Sequence, residues 1–276
     1  MKASVTAWIL LALLASPAAS SATCQPVPGT APLLHAGKVV VLGEQHGTQE
    51  SPAFVLDLAC LAVAAGLPLR VGLEIADSEQ ERFDAFLRSS GDAASREALL
   101  AGEVWRSEPQ YGVTSGAMLD LLDGLRRLRG EGGDVQVVLF NRTPTEGGGQ
   151  QRDREMADYL RRAADEPNAL LLVLTGNYHS RVVEGTPWDD HYQPMALLLG
   201  RQLAAGRLVT LDVAHAGGTA WVCLSDAAGC GVTELHGRGP AGARGVVING
   251  AREENGHDGW YRVGAIHASR PAWPQD

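Results

Sequence analysis

Five short apolar runs recur along the chain, and each is a continuous block of Val, Leu and Ile rather than an alternation with polar residues. Such blocks are typical of strands that are covered on both faces. The runs predict five strands, at Lys38–Leu42, Leu69–Ile75, Val135–Phe140, Leu170–Leu174 and Leu208–Val213. The segments between them predict helices at about Ser51–Ala65, Ser78–Arg88, Ser115–Arg129, Gln151–Ala164 and Tyr192–Ala204. This alternation predicts an α/β fold, with an open, mostly parallel sheet and helices on both faces.

The last part of the chain has a different pattern, because its apolar runs are separated by Gly-rich turns and not by helices. Ala220–Leu224, Gly245–Asn249 and Trp260–Ile266 predict short strands. We expect them to extend the sheet edge as a short antiparallel extension. The chain contains no internal repeat and no long linker, so residues 23–276 are predicted to form a single domain.

The first residues have the pattern of an export signal. Lys2 precedes the apolar run Ala7–Ala15, and small residues follow it, so residues 1–22 are predicted to be a cleaved signal peptide. The run is shorter than the roughly 20 apolar residues of a membrane span. We therefore expect an exported protein, periplasmic or secreted, without a transmembrane span. A lipid anchor at Cys24 is the alternative and is less favoured.

Composition narrows the class of partner. Hydrophobic residues make up 45% of the 276 positions, so the chain can bury a large core. The formal net charge of −9 argues against nucleic acid as a partner, because neutralising phosphates requires clustered Lys and Arg.

Four cysteines in an exported protein suggest disulfides. Cys223 and Cys230 flank a short turn, which makes them the first predicted pair, and Cys24 with Cys60 would form the second. The alternative for Cys60 is a small buried apolar residue on a helix.

Polar and ionisable residues recur where the predicted strands end. In an open parallel sheet, ligands bind outside the carboxyl ends of the strands. Taken alone, each of these residues could simply cap a helix or close a turn, but their recurrence predicts one shared site. The five strand ends are Gly43-Glu44-Gln45-His46-Gly47, Gly72-Leu73-Glu74, Asn141-Arg142, Gly176-Asn177-Tyr178-His179 and Asp212-Val213-Ala214-His215.

The residue types at this edge suggest two chemistries. Glu44, His46, Glu74 and His179 could form a general acid–base group near neutral pH. The same four residues could instead hold a divalent transition metal with an open position for water. Their spacing does not decide between the two. The chain has neither a Gly-x-Ser-x-Gly elbow nor a phosphate-binding glycine loop.

The helix that begins near Gln151 carries Arg152 and Asp153 in its first turns. These residues either point toward the same edge of the sheet or belong to a solvated helix face. Four other histidines lie in turn-rich segments and are predicted to be surface residues: His191, His236, His257 and His267.

Four segments, in this order, resemble the ChaN-like haem-binding uptake proteins, a group similar to the Tiki and TraB proteins and to the erythromycin esterases. The resemblance extends over about Lys38 to Leu199. Its motifs are Val39–His46, Gly72–Glu74, Arg152–Ala157 and Leu174–His179.

The resemblance implies a shared α/β fold with its pocket at the strand ends. From esterase relatives it implies that His46 is the general base and that Glu74 supports it. From Tiki-like relatives it implies a divalent metal on the Glu and His groups, with peptide cleavage. From ChaN-like relatives it implies haem, with iron on His46, His179 or Tyr178. The cofactor-binding residues would then be Tyr178, Arg142, Arg152 and Asp153, the arginines pairing with propionates.

Three functions follow from these alternatives. We favour a hydrolase that acts on a small-molecule or peptide substrate through His46, Glu74, Glu44 and His179. The second is a haem- or metal-binding protein without turnover, and the third is a structural or interaction protein with an idle site. Fold alone does not choose among them.

Overall fold

The computed structural model describes residues 24–142, 148–225, 229–252 and 254–273, so the predicted signal peptide lies outside the described residues. The strands are β1 Val39–Glu44, β2 Leu69–Ala76, β3 Val135–Asn141, β4 Leu170–Gly176, β5 Leu208–Ser225, β6 Gly229–Arg238, β7 Gly245–Ile248 and β8 Gly259–Ile266. The helices are α1 Glu50–Ala64, α2 Gln80–Leu87, α3 Ala93–Leu100, α4 Glu103–Arg106, α5 Gly116–Gly130, α6 Gly148–Ala163 and α7 Met195–Gln202.

All the described strands belong to one sheet in the order β3-β2-β4-β1-β5-β8-β7, with β6 paired to β5. The neighbours from β3 to β8 run parallel, and β7 runs antiparallel to β8. This arrangement confirms the predicted open, mostly parallel α/β fold. Because β4 lies between β2 and β1 and all three run parallel, the carboxyl ends of β2, β4 and β1 are adjacent along one edge of the sheet.

Helices cover both faces of the sheet, and each face has its own apolar core. On one face α1, α2 and α5 bury Phe54, Phe83 and Leu122 against the strands. On the other, α6 and α7 bury Met156 and Leu199. Every residue of β1 is buried, as its continuous apolar run predicts. Burying a large apolar side chain stabilises the fold by about 1.5–3 kcal/mol, so these layers hold the strand ends in register.

Two disulfides are present, and both predicted pairings are confirmed. Cys24–Cys60 ties the arm before β1 to α1, and Cys223–Cys230 joins β5 to β6. No helix in the described part of the chain is long and apolar enough to cross a membrane.

The C-terminal region differs from the prediction in three respects. Leu208–Val213 and Ala220–Leu224 belong to one long strand, β5, because Gly217 and Gly218 take positive φ angles of 95° and 135° and bulge within the strand. Strand β6 was expected only as a short strand after the Cys223–Cys230 turn, and it extends over ten residues. Strand β8 lies parallel to β5 and not antiparallel.

The sequence analysis also missed the short helices α3 and α4 in the first half of the chain, because each spans only one or two turns.

Candidate functional site

Four of the predicted site residues converge at the carboxyl ends of β1, β2 and β4. Glu44 is the last residue of β1, His46 follows it by two residues, Glu74 lies near the end of β2, and His179 comes three residues after β4. Parallel neighbours end at the same edge of the sheet, which places these side chains within contact distance although up to 135 residues separate them in sequence (44 to 179).

His46 is held between two carboxylates. Its Nδ1 atom lies 2.9 Å from Glu44 Oε1 and its Nε2 atom lies 3.6 Å from Glu74 Oε2. The imidazole keeps 25% of its surface exposed, while both glutamates are buried. Burial lowers the pKa of His46, but the hydrogen bond and charge of Glu44, with the charge of Glu74, outweigh it and raise this pKa to about 9.

Glu74 is the centre of the site and remains ionised. Its Oε2 atom accepts hydrogen bonds from Thr175 Oγ1 at 2.6 Å and from the Gly176 amide at 2.8 Å. Its Oε1 atom accepts from Arg152 Nη2 at 2.5 Å. Burial raises the pKa of Glu74, but the positive charges of His179, His46 and Arg152, with the Thr175 bond, bring it well below its usual range.

His179 is held in a similar way on the other side of Glu74. Its Nε2 atom lies 3.7 Å from Glu74 Oε1, and its Nδ1 atom lies 2.7 Å from Asp153 Oδ1, in an ion pair and not a well-aligned hydrogen bond. Burial lowers the pKa of His179, while the charges of Glu74 and Asp153 raise it above the usual histidine value. Carboxylates and imidazoles therefore alternate from Glu44 to Asp153.

The start of α6 completes this cluster, which decides between the two alternatives for Arg152 and Asp153. Arg152 donates from Nε to Asn141 Oδ1 at 2.9 Å, so β3 aims the guanidinium at Glu74. Asp153 is fully buried and accepts the Met195 amide at 2.7 Å. Both residues face the sheet edge because α6 buries the face that carries Asp153, Met156 and Leu160.

The donor set favours proton transfer over metal ligation. Within the described ranges, no group of three or more His, Cys, Asp or Glu side chains is arranged to hold a metal ion. Both nitrogens of His46 lie against carboxylates, and His179 Nδ1 lies against Asp153. Arg152 supplies the cation beside Glu74, and its Nη1 atom also lies 3.3 Å from His179 Nε2. Metal ligation by Glu44, His46, Glu74 and His179 and haem ligation both stay predictions.

Two predicted cofactor-binding residues lie outside the carboxylate–imidazole cluster. Arg142 donates from Nε to Asp77 at 2.9 Å and is largely exposed. Tyr178 is 41% exposed and packs edge-on against Trp188. The sequence signal was their position in the chain, next to Asn141 and His179. Arg142 follows the end of β3, where successive side chains point to opposite sides. Tyr178 lies in the turn after β4, which directs it away from His179.

The fifth strand end does not join the cluster either. Asp212 is fully buried in the interior of β5, where Arg238 and Asn255 donate to its carboxylate. His215 lies three residues further along the same strand. Since β5 continues to Ser225, neither residue stands at a strand terminus.

The prediction that His257 is a surface residue is wrong. The side chain is fully buried, and its Nε2 atom lies 2.8 Å from Ser180 Oγ, itself buried. Ser180 follows His179 directly and also donates to the carbonyl of Asn177 at 3.0 Å. The segment Asn255–Asp258 therefore braces the turn that carries His179. The predictions for His191, His236 and His267 are confirmed, since all three are exposed.

A cleft of about 390 Å³ opens beside Glu74. Its opposite wall is formed by α4 and the segment that follows it, from Glu103 to Thr114. Gly112 comes so close to Gly47 that a Cβ atom at Gly112 would lie 2.7 Å from the Gly47 backbone nitrogen. This contact sets the distance between the cleft wall and the turn that carries His46.

Comparisons with solved structures give the same fold. A structure of an erythromycin esterase mutant, EreC H289N in its open conformation, aligns with a TM-score of 0.63 at 12% identity, over 90% of this chain and 95% of that one. A protein of Bacillus cereus aligns with a TM-score of 0.57 at 10% identity, over 89% and 93% of the two chains. A succinoglycan biosynthesis protein aligns with a TM-score of 0.51 at 10% identity, over 80% and 76%. No family model matches the chain, and no curated protein matches it in sequence.

These observations define a class of protein. The chain is an α/β protein with the fold of the erythromycin esterase structure, and it carries a largely buried carboxylate–imidazole cluster at the carboxyl edge of its sheet. At such low identity the likeness concerns the fold, while the chemistry has to be argued from the cluster itself.

Proposed function

We propose that this chain is an exported hydrolase that cleaves a carboxylic ester by activating water, without a metal. The observation that carries the proposal is the setting of His46, an imidazole oriented by Glu44, next to the ionised Glu74 and open to solvent on one side. The fold shared with an erythromycin esterase supports ester cleavage. The two disulfides and the apolar N-terminal run support export.

The proposed reaction needs only side chains of this cluster. Neutral His46 accepts a proton from water through Nε2 while the water oxygen bonds to the ester carbon. The carbonyl oxygen takes up the negative charge, which the Arg152 guanidinium stabilises from the other side of Glu74. When the carbon–oxygen bond to the alcohol breaks, the His46 imidazolium returns the proton to the leaving oxygen. Glu74 stabilises the imidazolium between these two transfers.

The test is hydrolysis of 4-nitrophenyl acetate by the purified mature chain and its His46→Asn variant. Loss of a general base costs about 10²–10⁴-fold in rate, so we expect kcat to fall by that amount while the circular dichroism spectrum stays unchanged. His191→Asn is the matched control, because its imidazole is 92% exposed. Unchanged turnover in His46→Asn would contradict the proposed mechanism. Loss of activity with EDTA, restored by zinc, would show metal chemistry in its place.

A further inference from the structure

A second pocket lies away from the carboxylate–imidazole cluster, on the C-terminal side of the sheet. It encloses about 350 Å³ between β5, β8 and the glycine-rich loop that follows β6. Its lining includes His215, Gly239, Gly242 and Arg262, and no Asp or Glu side chain contributes to it. None of its lining residues belongs to the cluster.

Arg262 is a half-buried cation that has no acceptor among the residues the structure describes. Its Nε atom is buried and has no hydrogen-bond partner in the described chain, and the guanidinium forms no ion pair there. Arg88, Arg154 and Arg270 also lack a side-chain partner among the described residues, but all three are exposed to water. A desolvated charge without a counter-ion is costly, and a group left in this state calls for an external partner.

The pocket contains further hydrogen-bond donors besides Arg262. His215 Nδ1 accepts the Gly217 amide at 3.2 Å, and burial lowers the pKa of His215, so its neutral ring carries the proton on Nε2. The amides of Gly239 and Gly242 form no hydrogen bond with the described residues. The pocket therefore offers N–H groups and a positive charge, with no carboxylate to neutralise them.

The carboxylates around the pocket do not neutralise the positive charge of Arg262. Arg238 is paired with Asp212 and Arg244 with Asp57, so these two carboxylates are already engaged by other arginines. Glu50, whose charge acts on His215, is paired with His267. The loop also lies tightly on the guanidinium, since a Cβ atom at Gly242 would come within 2.6 Å of Arg262 Nη1.

We propose that this pocket binds a tetrahedral oxyanion, phosphate or sulfate in type, on the Arg262 guanidinium. The planar guanidinium binds such oxygens through two parallel N–H donors, and glycine amides in a turn supplement it. The enclosed volume exceeds that of the inorganic ion, so the pocket also accommodates a substituent on the oxyanion.

The experiment is a calorimetric titration of the mature chain with sodium phosphate and with sodium sulfate, at ionic strength held constant with sodium chloride. We expect saturable binding of one ion per chain, weakened at least about tenfold in Arg262→Gln, a loss of about 1.4 kcal/mol. Arg154→Gln is the control, since Arg154 is exposed and without a side-chain partner like Arg262 but lies on α6. Acetate, with two oxygens, should bind more weakly than either tetrahedral ion.

Absence of saturable binding, or equal affinity in the wild-type chain and Arg262→Gln, would overturn the proposal. Arg262→Lys covers the case in which the glutamine variant does not fold. It keeps the charge but not the paired donors, so it should bind phosphate with reduced affinity. Phosphate should also raise the thermal unfolding temperature of the wild-type chain, and no rise at saturating phosphate would count against the site.

Discussion

The protonation of His46 decides how the cluster works at different pH values. With a pKa of about 9, only about 1% of the imidazole is neutral at pH 7, and the general base is the neutral form. The same two carboxylates that orient His46 thus also hold it mostly protonated. Under the proposed ester hydrolysis, a small fraction of a strong base is present at pH 7, so the rate is expected to increase in alkaline conditions.

The expected pH–rate profile follows from this. The value of kcat/KM should rise about tenfold per pH unit from pH 7 and level off above about pH 9. In Glu44→Gln the imidazole loses a hydrogen-bonded negative charge, so the inflection should move to lower pH. Rates measured between pH 6 and 10 check both statements, with His191→Asn as the control. A profile that falls through pH 9 would instead identify His46 as a general acid.

At the scale of elements, the strand ends alone do not complete the cluster. Strands β1, β2 and β4 contribute Glu44, Glu74 and Thr175. Helix α6 contributes Arg152, which pairs with Glu74, and Asp153, which pairs with His179. The turn after β4 is fastened in addition by the Ser180–His257 contact. This contact joins a residue of the edge to a segment 77 positions later in the chain, so local sequence patterns do not reveal it.

The buried His257 makes stability depend on pH. Burial and the charges of Arg238 and Arg181 lower its pKa to about 3, well below that of an unfolded histidine. Between pH 6.5 and 3 the unfolded chain therefore binds a proton that the folded chain does not, and stability falls as pH falls. The contribution is on the order of 1 kcal/mol per pH unit.

Urea unfolding at pH 7 and pH 5 measures this effect. The wild-type chain should lose more stability between the two values than His257→Gln, which retains an N–H donor but does not titrate. His236→Gln, altered at an exposed histidine, should follow the wild type. An equal pH dependence in His257→Gln would show that His257 is not held neutral.

At the scale of the whole molecule, the two disulfides constrain the chain to different degrees. Cys24–Cys60 closes a separation of 36 residues, and Cys223–Cys230 closes one of 7. A longer closed loop removes more conformational entropy from the unfolded chain. The first bridge also fastens the N-terminal arm onto α1, next to the apolar core.

We expect removal of the first bridge to be the more destabilising change. Serine at both Cys24 and Cys60 should cost about 4 kcal/mol, and serine at both Cys223 and Cys230 about 2.5 kcal/mol. Chemical unfolding of the two double variants, followed by circular dichroism, gives the comparison. The opposite order would show that the ribbon of β5 and β6 contributes more to the fold than its loop length implies.

The sequence alone was sufficient for features that depend on neighbours along the chain. Continuous apolar runs identified the five main strands, and polar residues after them marked the edge where Glu44, His46, Glu74 and His179 lie, because parallel strands end on one side of a sheet. Only the tertiary structure decided the partners. Which distant segments pack together determines the approach of Arg152 and Asp153, the burial of His257 and the continuity of β5. The same packing leaves Arg262 without a side-chain partner among the described residues. A side chain's charge balance is set by that packing and leaves no periodic pattern in the sequence.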